Sequence, residues 1–298
     1  MRALALLLAV PLLLANTGDP GTIPPQIKAM LDAAMASGNE GDVATIVKYA
    51  KSAAPDSAND IARIAGDWRE TRRRQAEKRL REASFVALIK GRAEFGGYIT
   101  TGNSNNIGLT ASIELKREAL EWRHKLRLQA DYQRSLGVTT RERYLAAYEP
   151  NWKFDDRGYI YGAAQFESDR FLGFNQRYSV SAGAGYSALR TPRTKLDLEL
   201  GPAYRETSFT DQHTEANVAA RGSIDFGWKL TKGISLTQNA SAYLQSANST
   251  VSSKSAVLAR VIGPLSAQLS YTLQYESMPP VGRKTTDTTS RAALVVDF

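Results

Sequence analysis

The last residues of the chain, from Thr288 to Phe298, alternate between two kinds of side chain. Ser290, Ala292, Leu294, Val296 and Phe298 fall on one face of a strand, and Thr289, Arg291, Ala293, Val295 and Asp297 fall on the other. Because successive side chains of a strand point to opposite faces, this period of two predicts a strand with one apolar face.

The same alternation recurs from about residue 90 and gives eleven further stretches, so the sequence predicts twelve strands. The third is typical. Its apolar face carries Trp122, His124, Leu126, Leu128, Ala130 and Tyr132, and its polar face carries Arg123, Lys125, Arg127, Gln129, Asp131 and Gln133. An apolar face toward lipid and a polar face toward a lumen is the pattern of a transmembrane β-barrel. The alternative, a soluble β-sandwich or lipocalin, would bury its apolar face instead.

The connections and the aromatic residues predict how the barrel is oriented. The short connections are Arg117–Glu121, Asp155–Gly158, Arg190–Thr194, Thr231–Gly233 and Gly263-Pro264. The longer ones are Thr101–Asn106, Ser135–Arg141, Ser168–Gln176, Thr210–Thr214, Gln245–Lys254 and Ser277–Asp287. Outer-membrane barrels have short periplasmic turns and long outside loops, and an even strand count returns both barrel ends to the periplasm.

Aromatic residues gather near both ends of the predicted strands. Trp122, Trp152, Tyr186, Trp228 and Phe298 lie at the short-turn ends, and Tyr132, Tyr144, Phe166, Tyr178, Tyr204 and Tyr275 lie at the long-loop ends. Two such girdles are typical of a protein that crosses two membrane interfaces. We therefore expect an all-β transmembrane barrel of about twelve antiparallel strands over residues 90–298, in contact with outer-membrane lipid. Its terminal strand resembles the segment that the barrel-assembly machinery reads.

Residues 23–88 have a helical pattern instead. Ile27, Met30, Leu31 and Met35 recur at helical spacing, and Ser37-Gly38 ends this first helix. Asn39 can cap a second helix. A third is predicted from Asp56 or Ser57 toward Phe85, and we expect the whole segment to lie in the periplasm.

The N-terminus has the three parts of a secretory signal peptide. A basic Met1-Arg2 precedes the apolar run Ala3–Ala15, and the polar residues from Asn16 onward follow. We assign residues 1–15 to a signal peptide and residues 16–22 to a linker. No later run is long enough to span a bilayer as a helix. The mature protein is expected in the outer membrane of a Gram-negative bacterium.

Composition excludes several kinds of site. The chain of 298 residues has no Cys and two His, with a net charge of +8. Disulfides, thiolate metal sites and imidazole-rich metal sites are therefore excluded, and we predict no metal and no cofactor. The third helix is basic and carries Arg69, Arg72, Arg73, Arg74, Lys78, Arg79 and Arg81. Around Arg69–Arg81 it is either a solvated face or a surface for anionic lipid head groups or the cell wall. Nucleic acid is an unsuitable partner for an exported chain.

The polar face of the barrel carries charges of both signs. Basic candidates for the lumen are Arg123, Lys125, Arg127, Arg143, Arg177, Lys195, Arg205, Arg221, Arg260 and Arg291. Acidic candidates are Glu94, Glu114, Asp131, Glu149, Glu167, Asp197, Glu199, Asp225 and Asp297. These charges can pair across the lumen and largely plug it, or they can line a narrow wet channel in which the basic third strand favours anions.

Outside the lumen, few residues are candidates for ligand binding or catalysis. Asp169, Arg170 and Phe171 open an outside loop and are the candidates for contact with an external ligand. His213, near Asp211 and Glu215, is the one candidate for acid–base chemistry. His124 shares its face with Trp122 and is interpreted as an interfacial side chain. We predict no enzyme.

Several stretches together resemble the YdiY-like family of salt-induced outer-membrane proteins, a family of unknown function. They are Gly97-Tyr98-Ile99-Thr100-Thr101-Gly102-Asn103-Ser104-Asn105, Trp122-Arg123-His124, Phe166-Glu167-Ser168-Asp169-Arg170-Phe171, Arg177-Tyr178-Ser179, Gly183-Ala184-Gly185-Tyr186 and Thr191-Pro192-Arg193. The resemblance covers roughly residues 90–298. It implies an outer-membrane barrel and assigns no substrate or catalytic residue.

Three functional hypotheses follow from the sequence. The first is a narrow pore or an envelope-integrity protein with a charged lumen. The second is a barrel that anchors a periplasmic helical segment, which binds cell wall or lipid head groups. The third, and least supported, is a barrel hydrolase.

Overall fold

The computed structural model describes residues 22–101, 106–135, 138–246, 248–279, 282 and 284–298. The predicted signal peptide, residues 1–15, and almost all of the predicted linker, residues 16–22, lie outside the described residues. Two compact units divide the chain, one up to Arg79 and the other from Leu80 onward.

The first unit contains the helices α1 (Pro25–Ser37) and α2 (Glu40–Ala53), a 3-10 turn at Pro55–Ser57 and all but the last three residues of α3 (Ala58–Glu82). Helix α1 ends where Gly38 adopts a left-handed conformation, with φ at 73°. Asn39 then caps α2 by accepting a hydrogen bond from the Gly41 N–H at 2.9 Å. Helix α3 ends before the predicted Phe85. None of the described helices is long and apolar enough to cross a membrane.

The helices share a small apolar core. Leu31, Val43 and Ile61, one from each helix, are completely buried, and Trp68 packs against this core from the middle of α3. The part of α3 beyond Trp68 contributes no buried apolar residue. Its stability therefore comes from helix propensity and from ion pairs such as Arg74 with Glu70 at 2.9 Å.

The second unit is a barrel of twelve antiparallel strands. They are β1 (Ile89–Thr101), β2 (Asn106–Glu118), β3 (Trp122–Ser135), β4 (Val138–Lys153), β5 (Gly158–Asp169), β6 (Phe174–Arg190), β7 (Thr194–Phe209), β8 (Thr214–Lys229), β9 (Ile234–Leu244), β10 (Thr250–Ile262), β11 (Leu265–Glu276) and β12 (Thr286–Asp297). Each pairs with its neighbours in sequence, and β1 pairs with β12 to close the ring. The predicted fold class is confirmed.

The terminal strand has the predicted faces. Arg291 and Val295 are buried inside the barrel, whereas Leu294 and Phe298 are exposed on the outside. Strand β12 pairs with β1 from Asp297, opposite Arg92, to Thr288, opposite Thr101. An unpaired edge strand would leave backbone N–H and C=O groups unsatisfied in lipid, and this pairing removes that edge.

The outer surface of the barrel is apolar and has aromatic residues at both ends. Trp122 and Trp152 lie opposite each other at the short-turn ends of β3 and β4, and each is more than 40% exposed. At the other end Phe166 and Tyr178 contact each other, with ring centroids 5.2 Å apart. Large exposed aromatics in two rings favour a lipid environment over water.

The connections at the long-loop end are shorter than predicted, because several strands extend further into them. The predictions of loops at Ser135–Arg141, Ser168–Gln176 and Gln245–Lys254 were wrong in extent, since β4 begins at Val138, β6 at Phe174 and β10 at Thr250. Beyond the aromatic rings the outward positions become polar, as in the serine-rich start of β10. The apolar alternation therefore ends before the strand does.

Candidate functional site

The lumen holds the charged side chains. Of the residues predicted to line it, Arg123, Asp131, Glu167, Arg177, Glu199, Arg205, Arg221 and Arg291 are buried, and Glu114, Lys125, Arg127, Lys195 and Asp225 keep a larger exposed fraction. Their strands place them on the inward face because each alternates with an exposed apolar residue. Arg260, also predicted to face the lumen, is exposed near the end of β10.

Near the short-turn end, ion pairs reach across the lumen from β3. Arg123 Nη1 donates to Asp197 Oδ2 of β7 at 3.1 Å, and both side chains are less than 5% exposed. Lys125 Nζ lies 3.1 Å from Asp225 of β8 and 2.7 Å from Glu149 of β4. Strands β3 and β8 are five positions apart in the ring of twelve, so this contact joins almost opposite walls.

In the middle of the barrel, Arg221 of β8 continues these contacts. It lies 3.0 Å from Glu199 of β7 and 3.7 Å from Glu149 of β4. Arg127 and Glu114 form a neighbouring pair at 2.8 Å between β3 and β2. Pairing lowers the cost of holding so many charges away from bulk water.

Toward the end of the barrel opposite the short turns, three further contacts cross from wall to wall. Arg291 Nη2 of β12 donates to Asp131 Oδ1 of β3 at 2.9 Å. Arg205 Nη1 of β7 donates to Thr250 of β10 at 2.8 Å. Arg177 Nη1 of β6 donates to Glu276 Oε1 of β11 at 3.1 Å, again across five positions of the ring.

Buried tyrosines support the arginines, and the sequence analysis did not identify them. The Arg123 guanidinium lies 4.6 Å from the ring centroid of Tyr159, and that of Arg205 lies 3.9 Å from the ring of Tyr243. Such cation–π contacts hold a guanidinium while leaving its edge available for donors. Tyr159 could have been found from its place next to the outward Ile160, because neighbouring strand residues face opposite ways.

A cavity of about 290 Å³ lies among these pairs, and cations predominate in its lining. Its basic residues are Lys116, Lys125, Arg127, Arg141, Arg143, Arg221, Lys254 and Arg291, and its acidic residues are Glu114, Glu149, Asp225 and Asp287. Twice as many cations as carboxylates face this space. Several of these cations have their carboxylate partners behind the lining, as Arg291 has Asp131 and Arg143 has Glu167, so the excess is one of the cavity surface.

Among the described cations that line the cavity, Lys254 has the longest distance to its nearest carboxylate partner. Its Nζ lies 3.8 Å from Glu94 Oε2, and that oxygen already accepts a hydrogen bond from Gln268 at 2.9 Å. Lys254 was not among the predicted lumen residues, because residues 245–254 were predicted to form an outside loop. Serines on both faces of this part of β10 hide the alternation that would have revealed the lysine.

The three residues predicted to contact an external ligand differ in burial in the structure. Asp169 is fully buried at the end of β5, where Arg141 lies 3.4 Å away and the N–H groups of Phe171 and Leu172 donate to its carboxylate. These contacts use its oxygens within the protein, and contact of Asp169 with an external ligand stays a prediction. Arg170 is exposed and Phe171 half-buried, so both stay candidates.

Neither histidine has the surroundings of a catalytic base. One ring nitrogen of His213 contacts Asp211, and the other lies 3.5 Å from Glu215. A base needs a nitrogen directed at a nucleophile, and both nitrogens here are directed at carboxylates. His124 stacks between Trp122 and Tyr148 on the outer surface, as the sequence predicted.

Comparison with known proteins gives one family and several barrels of low similarity. Residues 93–298 match the family described as "Protein of unknown function, DUF481". The chain is 25% identical over 198 residues to "Uncharacterized protein YdiY" of Escherichia coli strain K12, covering 66% of this chain and 78% of the relative. The resemblance inferred from the sequence motifs is confirmed.

Among solved structures, the NanC porin aligns with a TM-score of 0.49 at 8% identity, over 68% of this chain and 98% of the porin. The translocator domain of the autotransporter NalP from Neisseria meningitidis aligns with a TM-score of 0.43 at 11% identity, over 80% and 98% of the two chains. Similarity this low carries no information about activity.

Proposed function

The chain belongs to the family of unknown function DUF481, and we propose that it acts as an outer-membrane β-barrel with a narrow lumen that prefers anions. The main support for this proposal is the lining of the central cavity, in which cations outnumber carboxylates two to one. Ion pairs join the walls around this cavity. Pore activity, anion preference and location in the outer membrane are parts of this proposal.

The outer surface supports the membrane location. The shortest strand, β9, has 11 residues, and a tilted transmembrane strand needs about 9–11. Leu200, Val218 and Leu269 are each more than two-thirds exposed on that surface. Exposing this much apolar area to water would be unfavourable, whereas a bilayer covers it without that cost.

The cross-lumen pairs support a narrow passage rather than a wide one. Side chains of β3 reach β8, and side chains of β6 reach β11, so the lumen is divided by contacts between side chains. These contacts exclude bulky solutes while they persist. Water and small ions can pass between side chains more readily than through backbone, because side chains change rotamer.

The excess of cations supports anion preference. Lys254 is the residue to test, because its loose contact with Glu94 makes its removal least disruptive to the surrounding pairs. A cation lining a narrow pore lowers the electrostatic barrier for anions and raises it for cations.

The test is conductance of the purified, refolded protein in a planar bilayer, with the reversal potential measured under a KCl gradient. We expect small steady conductance steps with anion preference in the native protein. Lys254→Gln should weaken that preference, and Lys254→Glu should weaken it further.

Lys232→Gln is the matched control. Lys232 is exposed in the connection between β8 and β9, so its loss removes the same charge outside the lumen. A refolded barrel that gives no conductance would contradict the pore hypothesis and leave an envelope-integrity role. Equal effects of Lys254→Gln and Lys232→Gln would contradict a selectivity set within the lumen.

The helices favour a second candidate, in which the barrel anchors a periplasmic segment that binds cell wall or anionic head groups. Leu31, Val43 and Ile61 give the helices a core of their own, and the basic stretch Arg69–Arg81 follows it. Deleting residues 23–88 tests this function. An envelope phenotype equal to loss of the whole gene is expected, and an unchanged envelope would dispose of the candidate.

A further inference from the structure

A second cavity, of about 240 Å³, lies at the short-turn end of the lumen. We propose that this cavity, the basal cavity, binds a doubly charged phosphate group. Lys116, Arg123, Lys153, Arg157, Arg190 and Lys195 line it, against the carboxylates of Glu118, Asp155 and Asp156. The proposal does not depend on conduction, because a phosphate can occupy this end of the barrel whether or not the lumen is open.

Glu118 is shared between two lysines in the basal cavity. Its Oε2 lies 3.0 Å from Lys116 Nζ, and its Oε1 lies 2.9 Å from Lys153 Nζ. One carboxylate thus faces two ammonium groups. About one positive charge is left uncompensated at this point, and an anion that enters can neutralise it.

Asp197 repeats the arrangement beside two of the residues that line the cavity, Arg123 and Lys195. Its Oδ2 lies 3.1 Å from Arg123 Nη1 and 2.8 Å from Lys195 Nζ, and Ser187 donates to its other oxygen at 2.8 Å. A second positive charge is therefore uncompensated. Two excess charges match a phosphate dianion better than a singly charged anion such as chloride.

The turn residues of the basal cavity do not cancel this excess, because Arg157 and Arg190 balance the negative charges of Asp155 and Asp156. The N–H groups of Gly158 and Arg157 donate to Asp155, and these backbone hydrogen bonds hold the pKa of its carboxyl below the usual value. Its charge is stabilised by the turn itself. Arg190 Nη1 donates to the backbone carbonyl of Asp156 at 2.7 Å, so this arginine is fixed near the cavity by a neutral group.

Arg123 has the geometry to recognise a phosphate. It is 3% exposed, its Nη1 is used by Asp197, and its Nε and Nη2 have no hydrogen-bond partner among the described residues. Nε and Nη2 form one edge of the guanidinium, and that edge matches two oxygens of a phosphate. A buried guanidinium with two unused donors is costly without a ligand.

Binding is tested with the full refolded chain in a neutral detergent, by titrating inorganic phosphate at constant ionic strength in a calorimeter. We expect saturable binding of the native protein. Lys195→Gln should weaken it about tenfold, since one unit charge is removed at contact distance. Asp197 keeps Arg123 as its partner in this variant, so the barrel should still fold.

Arg123→Lys is the second variant. It keeps the charge beside Asp197 and removes the planar edge, so phosphate binding should also weaken. Lys232→Gln is the control, because this exposed lysine does not line the basal cavity. It should bind phosphate as the native protein does.

The phosphate can come from solution or from a lipid head group, and a parallel arm separates these sources. The same variants are tested for binding of phosphatidic acid, a lipid phosphomonoester, in nanodiscs of otherwise zwitterionic lipid. Loss of either phosphate or phosphatidic acid binding in Lys195→Gln and Arg123→Lys supports the site and identifies its source. No binding in both arms, or binding unchanged in both variants, would overturn the proposal.

Discussion

Gly91 and Phe298 close the barrel by exchanging two backbone hydrogen bonds. The Gly91 N–H donates to Phe298 O at 2.6 Å, and the Phe298 N–H donates to Gly91 O at 2.9 Å. The phenyl ring lies over Gly91, so that a Cβ at residue 91 would come within 2.2 Å of the ring. Phe298, directly after β12, therefore covers one end of the contact between β1 and β12, which we call the seam.

The first prediction concerns this seam. Gly91→Ala should displace the exposed Phe298 ring from Gly91 and destabilise the barrel by about 1 kcal/mol, the low end for an added methyl group, because the ring can move. Urea unfolding of the refolded protein in detergent would measure the loss. Gly97→Ala is the control, since its Cβ would meet only Gly108 O at 3.6 Å. Equal stability of the two variants would show that the ring moves aside freely.

The second prediction concerns the buried pair Arg123–Asp197. Asp197→Asn should destabilise the barrel by about 3–5 kcal/mol, because it leaves a buried guanidinium without its counter-charge. The pair Arg92–Asp297 is more than 30% exposed on both sides, and Asp297→Asn should cost only about 0–1 kcal/mol. Both are measured by urea unfolding. Similar losses would mean that water reaches Arg123 freely.

The third prediction concerns the cross-lumen contact of Arg177. Arg177→Ala should increase single-channel conductance, because it removes the side chain that joins β6 to Glu276 of β11. Arg170→Ala removes an exposed arginine from the neighbouring connection and should leave conductance unchanged. Planar-bilayer recording compares the two variants. Unchanged conductance in Arg177→Ala would place the narrowest point elsewhere.

The fourth prediction concerns the helical unit. Leu31→Ala should destabilise the helices by about 2–5 kcal/mol, since Leu31 is completely buried in their core. Limited proteolysis should then cleave within residues 25–82 while the barrel keeps its heat-modifiable mobility on a gel. Met30→Ala, at a residue 54% exposed, is the control. Loss of the barrel in Leu31→Ala would contradict independent folding of the two units.

Part of the candidate site could be read from the sequence because strand parity fixes which face a residue occupies. Arg123 lies between Trp122 and His124, so its inward position follows from period two alone. Lys254 was missed because serines obscure the alternation around it. The contacts of Asp169 could not be read from the sequence, because the N–H groups of Phe171 and Leu172 reach its carboxylate only when the chain turns after β5.

The sequence by itself determined the strand number, the two faces of each strand and the division into helices and barrel. These features depend on local periodicity, which can be recognised from residues close together in the sequence. Only the tertiary structure decided which charges meet, such as Lys125 with Asp225, or Arg177 with Glu276. Their partners lie five strands apart in the ring, and such distances depend on barrel closure and strand register rather than on any local pattern.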